Sequence, residues 1–462
     1  MKITRRHFLA AGGAATLGGV GYLGNMFYNA MSPSRSSAIR YGKGGYEIQA
    51  PPVRLQSSFM GKIKKSIIIE NDRSPGEMQY LSSVLADNFG DVIYLGDTKA
   101  HPGVIQEEFE TPALYVRDIF VVTDDGSLLV SPVSEIMRRD AFNEVKKAEE
   151  ILANRHGMAI KCAPFKFVGG QILQSDRYTL LPDTFRTYQH LLIDDRPRYE
   201  GQTGLLGLPS WDLSPENTWL TEEMRRHLGV QLRTVPDPKT FYAQYGMNVK
   251  LVPDFMPIMG HIDMVTTPIG GDRLLIADNT AGLEIIRNLD SAELNPYLEV
   301  ATDHLRRFES EETARQFLNA FHNLRETGTS DTGTGRRYGV RGDTFRIIAD
   351  DADRLYEMFP KSTRIPALIA PFVAGRGICI SMAYNNSIVQ NAPGEKIAVI
   401  PAFGIKALDS EASSAFNKAG YRTVPVPFTE ISLYGAGPHC AALEIREPVK
   451  KPNPSGNPGR MN

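Results

Sequence analysis

The chain has 462 residues and a formal net charge of −2, from 51 Lys and Arg against 53 Asp and Glu. That near-balance excludes a strongly basic nucleic-acid binder, and 42% hydrophobic with 23% charged residues excludes wholesale disorder. Three cysteines, Cys162, Cys379 and Cys440, are too few and too scattered for a disulfide framework or a thiolate metal site.

The chain opens Met1-Lys2-Ile3-Thr4-Arg5-Arg6-His7-Phe8-Leu9. A paired arginine before a weakly apolar, Gly/Ala-rich run resembles a twin-arginine export signal. From Phe8 to Met31 there is no Asp, Glu, Lys or Arg, and the glycines weaken the run as a stable membrane helix. Residues 1–31 are therefore expected to be an export signal, with a retained anchor as the alternative, and the protein is expected in the periplasm. Residues 32–62 read as a polar, Pro-containing linker. No other stretch is long and apolar enough to span a bilayer, so no membrane contact beyond the signal is expected.

Beyond the linker, short strands alternate with helices. Ile67-Ile68-Ile69 is a β-branched strand run bounded by Asn71-Asp72 and Ser74-Pro75. A helix over 77–88 and a strand over 91–95 follow. Strands over 113–122 and 127–130 form a hairpin across Asp124-Asp125-Gly126. An amphipathic helix spans 134–155. Residues 158–181 read as paired strands around Gly169-Gly170. A helix over 221–228 precedes a strand over 230–235. Strands over 258–265 and 273–277 meet at Gly270-Gly271, and 281–321 is helix-rich. The alternation continues through 345–357, 367–372, 378–389, 397–400 and 423–427, with a helix over 409–419. This order predicts an α/β architecture. Two polar stretches, Phe185–Leu220 and Glu326–Asp343, read as loops of the kind that cover binding sites. The tail, 449–462, has almost no apolar residue and is expected to be disordered.

Three segments carry the chemistry. The first is Gly435-Ala436-Gly437-Pro438-His439-Cys440. Glycines before a cysteine allow a tight turn that leaves the sulfur accessible, and a nucleophilic cysteine needs a polarising neighbourhood that His439 or His261 can supply. Cys162 and Cys379 sit in apolar strand contexts and read as structural. The second is Gly260-His261-Ile262-Asp263. In a strand, His261 and Asp263 project to one face, giving a proton shuttle beside a cation-binding carboxylate; a metal pair or a surface pair would use the same residues. The third is Arg117-Asp118, which interrupts the apolar run from Tyr115 to Phe120. This pair is either a structural ion network or a carboxylate facing a cationic ligand. One cysteine, one histidine and two carboxylates suit attack on the carbon of a guanidinium, which presents its N–H groups in a fixed fork.

The order Arg117-Asp118, Gly169-Gly170-Gln171, Gly260-His261-Ile262-Asp263 and Gly437-Pro438-His439-Cys440 resembles the guanidine-modifying pentein superfamily. The run from Tyr384-Asn385-Asn386-Ser387 to Phe403-Gly404 is similar to its last repeat. The resemblance covers Ile67 to Pro448 and implies one catalytic domain over 63–448 with a five-bladed pseudosymmetric α/β propeller fold. It implies Cys440 as nucleophile, His261 as general acid and base, and Asp118 and Asp263 as the groups holding the guanidinium. The implied reaction runs through a covalent thiouronium and needs no metal or organic cofactor. The chain lacks the threonine often found two positions after the cysteine, and Gln171 stands where agmatine deiminases commonly carry Asn. An exported enzyme would meet peptides or secreted small guanidines, so peptidyl-arginine is the first expected substrate, giving citrulline and ammonia. Free arginine or agmatine comes next, then amidino transfer to an amine. A pentein-fold binding protein and a metal hydrolase using His261, Asp263 and Asp118 are the readings from other classes. No nucleic-acid partner is expected, and the sequence leaves the oligomeric state open.

Overall fold

The computed structural model describes residues 49–98, 101–109, 115–131, 139–165, 167–182, 238–255, 261–330, 342–374 and 377–448. The export signal, the helix over 221–228, the strand over 230–235, the loop Phe185–Leu220, the middle of the loop Glu326–Asp343 and the tail 449–462 lie outside the described residues.

The first strand, β1 (Ile63–Ile69), is a buried β-branched run. Pro75 then starts the helix Pro75–Asn88, where its missing N–H costs nothing. Met78, Leu81, Val84 and Leu85 recur at helical spacing and turn one stripe of this helix into the core. The chain returns as β2 (Asp91–Leu95), parallel to β1 with Ile67 opposite Ile93, and β3 (Val104–Glu107) adds beside it. Next, β4 (Phe120–Val122) pairs antiparallel with β5 (Leu128–Val130). The helix Arg139–His156 crosses to β6 (Ile160–Cys162), which lies parallel to β5. The same order recurs in β7 (Leu173–Gln174), β8 (Thr179–Pro182) and β9 (Val249–Val252). It recurs in β10 (Thr266–Gly270), β11 (Arg273–Asp278) and β12 (Thr363–Pro366). A separate hairpin, β13 (Leu368–Ala374) with β14 (Ile378–Met382), is followed by a third recurrence in β15 (Ile388–Ala392), β16 (Glu395–Ala402) and β17 (Arg422–Pro427). Finally β18 (Ala442–Arg446) returns to pair antiparallel with β1. Five sheets thus share one plan: an antiparallel pair, then a helical crossover to a third, parallel strand. In one of them the antiparallel pair joins the two ends of the described chain.

The third unit carries two long helices in its crossover. Ser291–Phe308 is closed at its start by a capping box between Asp290 and Glu293. Glu311–Thr327 starts on the Ser310 hydroxyl and stops at Gly328, whose φ of 74° is cheap only for glycine. Tyr297, Leu305, Phe317 and Phe321 join the apolar core beneath β13 and β14. Residues 49–62 fall within the stretch expected to be a linker, yet they lie on the fold. Val53 and Phe59 are buried, and the Gln56 amide donates to the Glu444 carbonyl at 3.0 Å. Among the described residues no helix is long and apolar enough to cross a membrane.

Three expectations are corrected. Residues 115–119 are not strand: Val116–Ile119 is a single helical turn, and β4 begins only at Phe120. Likewise Ile262–Met264 is a 3-10 turn ahead of β10, and Gly169–Gln171 a 3-10 turn ahead of β7, so no strand pair forms around Gly169-Gly170. In each case polar or glycine residues interrupt the apolar run where the chain bends before entering the sheet.

Candidate functional site

Those turns are the positions that matter. Each of the five units enters its first strand through one tight turn: Val116–Ile119, Gly169–Gln171, Ile262–Met264, the turn at 384–386, and Pro438–Ala441. In the first four, an N–H three residues on closes the turn: Asp118 to Tyr115, Gln171 to Val168, Met264 to His261, and Asn386 to Ala383. Asp118, Gln171, Asn386 and Cys440 therefore occupy one equivalent place, two residues before the strand. The turns touch in a closed order. The turn of Asp118 packs on that of Gln171, which packs on that of Asp263. The Asn386 amide donates to the Met264 sulfur at 3.2 Å and to Cys440 Sγ at 3.0 Å, and the turn of Cys440 packs back on that of Asp118.

Cys440 is 2% exposed, more enclosed than a glycine-flanked turn suggested. Its Sγ lies 3.4 Å from Asp263 Oδ2, and its backbone N–H donates to Asn386 Oδ1 at 3.0 Å. Burial pushes the thiol well above its ordinary range, and the carboxylates of Asp263 and Asp118 push it further. Glycine at 437 is required here: a Cβ would stand 2.7 Å from Asn386.

Asp263 is 1% exposed. Burial opposes its charge, yet the hydrogen bond from His439, with the electrostatic influence of His439, His261 and Arg117, holds its carboxyl below the usual range. Its Oδ2 serves His439 Nδ1 at 3.0 Å and faces the thiol, while Oδ1 makes no hydrogen bond among the described residues. His439 is itself held below the usual imidazole range by burial and then by the Arg117 charge. A neutral ring facing a carboxylate through Nδ1 must carry its proton there, so the network assigns His439 as the Nδ1–H donor. Its role is to fix Asp263.

His261 precedes the Ile262–Met264 turn and stays partly exposed. It and Asp263 do converge, through a helical turn rather than along one strand face. Both crowd Gly170, where a Cβ would lie 2.5 Å from His261 Nδ1 and 3.0 Å from Asp263 Oδ1. His261, Asp263 and Cys440 place a nitrogen, an oxygen and a sulfur within 4.8 Å of one another, a spread that a thiophilic cation would also accept.

The Arg117-Asp118 pair is split between the two roles the sequence left open. Asp118 is buried at the ring and acts by charge on Cys440. Arg117 turns the other way. Its Nε donates to the His439 carbonyl at 2.7 Å, and its Nη2 donates to the Ala442 carbonyl at 3.3 Å and to Glu444 at 2.6 Å. It thereby clamps both ends of the turn that carries Cys440. Cys162 and Cys379 form no disulfide among the described residues and are buried in β6 and β14.

All four sequence-designated residues, Asp118, His261, Asp263 and Cys440, thus meet at this ring. His439 was named in the sequence only as a candidate neighbour of the cysteine. Asn386 was read only as part of a resembling segment.

No protein-family model and no curated protein sequence matches the chain. Solved structures are similar to it. An agmatine deiminase of C. jejuni is 10% identical, with a TM-score of 0.46 over 86% of this chain and 98% of that one. The agmatine deiminase of Enterococcus faecalis is 13% identical, with a TM-score of 0.45 over 87% and 99%. An amidinotransferase from Microseira wollei is 11% identical, with a TM-score of 0.40 over 86% and 97%.

Electrostatically the ring is an acidic well built around a thiol. Two buried carboxylates, Asp118 and Asp263, face Cys440, and one oxygen of Asp263 is left unbonded. A cationic, hydrogen-bond-donating ligand is what such a well lacks.

Proposed function

We propose that the chain is a cysteine-dependent hydrolase of guanidino groups, with the five sheets standing as blades around the ring of turns. The observation that carries this reading is the Cys440 thiol lying 3.4 Å from the Asp263 carboxylate and within the field of Asp118. Two anions beside a thiol suppress its ionisation in the empty site. A bound cation reverses that field, so the nucleophile forms where and when a guanidinium arrives.

In the proposed course, the guanidinium donates to Asp118 and to Oδ1 of Asp263, which places its carbon over Cys440 Sγ. The thiol proton passes to His261, and sulfur bonds to the guanidine carbon. His261 returns the proton to one amino nitrogen, the C–N bond breaks, and ammonia leaves. The enzyme-bound thiouronium is attacked by water, with His261 taking the proton. The C–S bond then breaks, giving a ureido product and free Cys440. Guanidinium plus water becomes ureido group plus ammonium, and neither a metal nor an organic cofactor enters the balance. Acid quenching during turnover, followed by mass spectrometry of the peptide containing Cys440, tests the covalent step. The reading expects an adduct on Cys440 and fails if turnover proceeds with no sulfur adduct and no loss in Cys440→Ala.

Peptidyl-arginine, agmatine and free arginine all carry the same guanidinium, and they stand level as substrates under this proposal. The twin-arginine reading of residues 1–31, with a periplasmic destination, belongs to the same proposal. Its test is fractionation with and without Arg5→Lys/Arg6→Lys.

A further inference from the structure

We propose that Asn386 is a catalytic residue of this site: its side-chain N–H bonds to the Cys440 sulfur and stabilises the thiolate as it forms. The inference rests on the reading of Cys440 as nucleophile and adds a group to that machinery.

Asn386 is fully buried, in the fourth of the five equivalent turns. It meets Cys440 at two atoms: Oδ1 accepts the Cys440 backbone N–H at 3.0 Å, and Nδ2 points at Sγ, also at 3.0 Å. The first contact decides the second. A backbone N–H needs an acceptor, so the amide oxygen must face it, and the amide nitrogen must then face the sulfur. The other close partner of Nδ2 is Met264 Sδ at 3.2 Å, a weak acceptor that competes poorly with an anionic sulfur. The carboxylates around Sγ, Asp263 and Asp118, disfavour a thiolate, whereas the Asn386 amide and the backbone at Gly437 favour one. His439, His261, Arg117 and Tyr115 are further ionisable groups around the sulfur and its neighbouring carboxylates. In a buried site, a donor to a developing anion acts strongly and needs little reorganisation. The bare Cα of Gly437 lets this amide approach, since a Cβ there would lie 2.7 Å from Asn386 Oδ1.

The test is Asn386→Leu, which removes the donor to sulfur without adding a charge beside it. Iodoacetamide alkylation of Cys440 is followed by peptide mass spectrometry across pH, without substrate, alongside kcat and KM. The expected result is an alkylation midpoint raised by about 1–2 pH units and a kcat at least about tenfold lower, with KM changed far less. An unchanged alkylation midpoint in the folded variant overturns the proposal, since a purely positioning amide would leave the thiol's ionisation alone. Should the leucine variant not fold, Asn386→Ala carries the same test: a raised midpoint supports the donor and an unchanged one refutes it. Because alkylation needs no turnover, a wild-type enzyme inert toward guanidines would overturn the proposed function while still reporting on the donor.

Discussion

Asn386 and Cys440 are 54 residues apart and joined twice, backbone N–H to amide oxygen and amide nitrogen to sulfur, each at 3.0 Å. One side chain thus holds the backbone of the candidate nucleophile and touches its reacting atom. The same turn is gripped from below by Arg117, which donates to the carbonyls of His439 and Ala442. Cys440 is therefore pre-organised by two residues from two other units of the fold.

Asp118→Asn separates reactivity from catalysis. Removing its charge relieves the anionic field on the thiol, so Cys440 alkylation in the free enzyme should shift to lower pH. Turnover should nonetheless fall by about 10²–10³, since the guanidinium loses a carboxylate. Parallel alkylation and steady-state assays check this, and a joint fall in both contradicts the placement of Asp118 at the ring.

The buried ion cluster beneath the turn predicts an ordering of stabilities. Glu444 accepts from Arg117 at 2.6 Å and lies 3.6 Å from Arg446. Glu444→Leu leaves two buried guanidiniums without their carboxylate and should cost about 3–5 kcal/mol. Arg117→Met leaves Glu444 with Arg446 and should cost less. Urea denaturation of both variants reads the difference, and equal costs would show that Arg446 does not share the charge.

How much of this was legible in the sequence follows from the local geometry. The Arg117-Asp118 interruption was visible, but its two meanings were not separable. In a helical turn successive side chains diverge by about 100°, so neighbours serve different surroundings, whereas a strand would have sent them to opposite faces. His261 and Asp263 were placed on one strand and meet instead through a 3-10 turn. Asn386 and His439 escaped because their partners are distant in the chain: Asp263 is 176 residues from His439. The signal that could have found Asn386 is a polar residue two places before the first strand, present in four of the five units, with Met264 in that place in the third. It emerges only once the strand starts are known, and the apolar runs at 115–122 and 258–265 blur those starts.

Glu77 predicts a pH dependence of stability. Burial raises its carboxyl to about 7, above the ordinary 4.5, although backbone N–H groups of Ile431 and Glu430 donate to it. The folded state then binds the proton more tightly than the unfolded state. Its contribution to stability is fully present below about pH 4.5 and is lost as pH rises through about 7. Thermal midpoints at pH 5 and pH 8 check this. The fall between them should shrink in Glu77→Gln, and an identical fall would remove Glu77 as its source.

Chelation separates thiol chemistry from metal hydrolysis at the same residues. With EDTA, turnover should be unchanged; with added Zn2+, it should fall as the cation occupies the nitrogen, oxygen and sulfur of His261, Asp263 and Cys440. Loss of activity with EDTA and recovery with Zn2+ would replace the thiol mechanism.

The most direct measurement is ammonia and ureido-product formation by the purified protein, offered peptidyl-arginine, agmatine and free arginine in parallel, with Cys440→Ala as control. The account predicts equimolar ammonia and ureido product from at least one of them, abolished in a folded Cys440→Ala protein. Turnover that survives in Cys440→Ala, or no ammonia from any of the three, would contradict it.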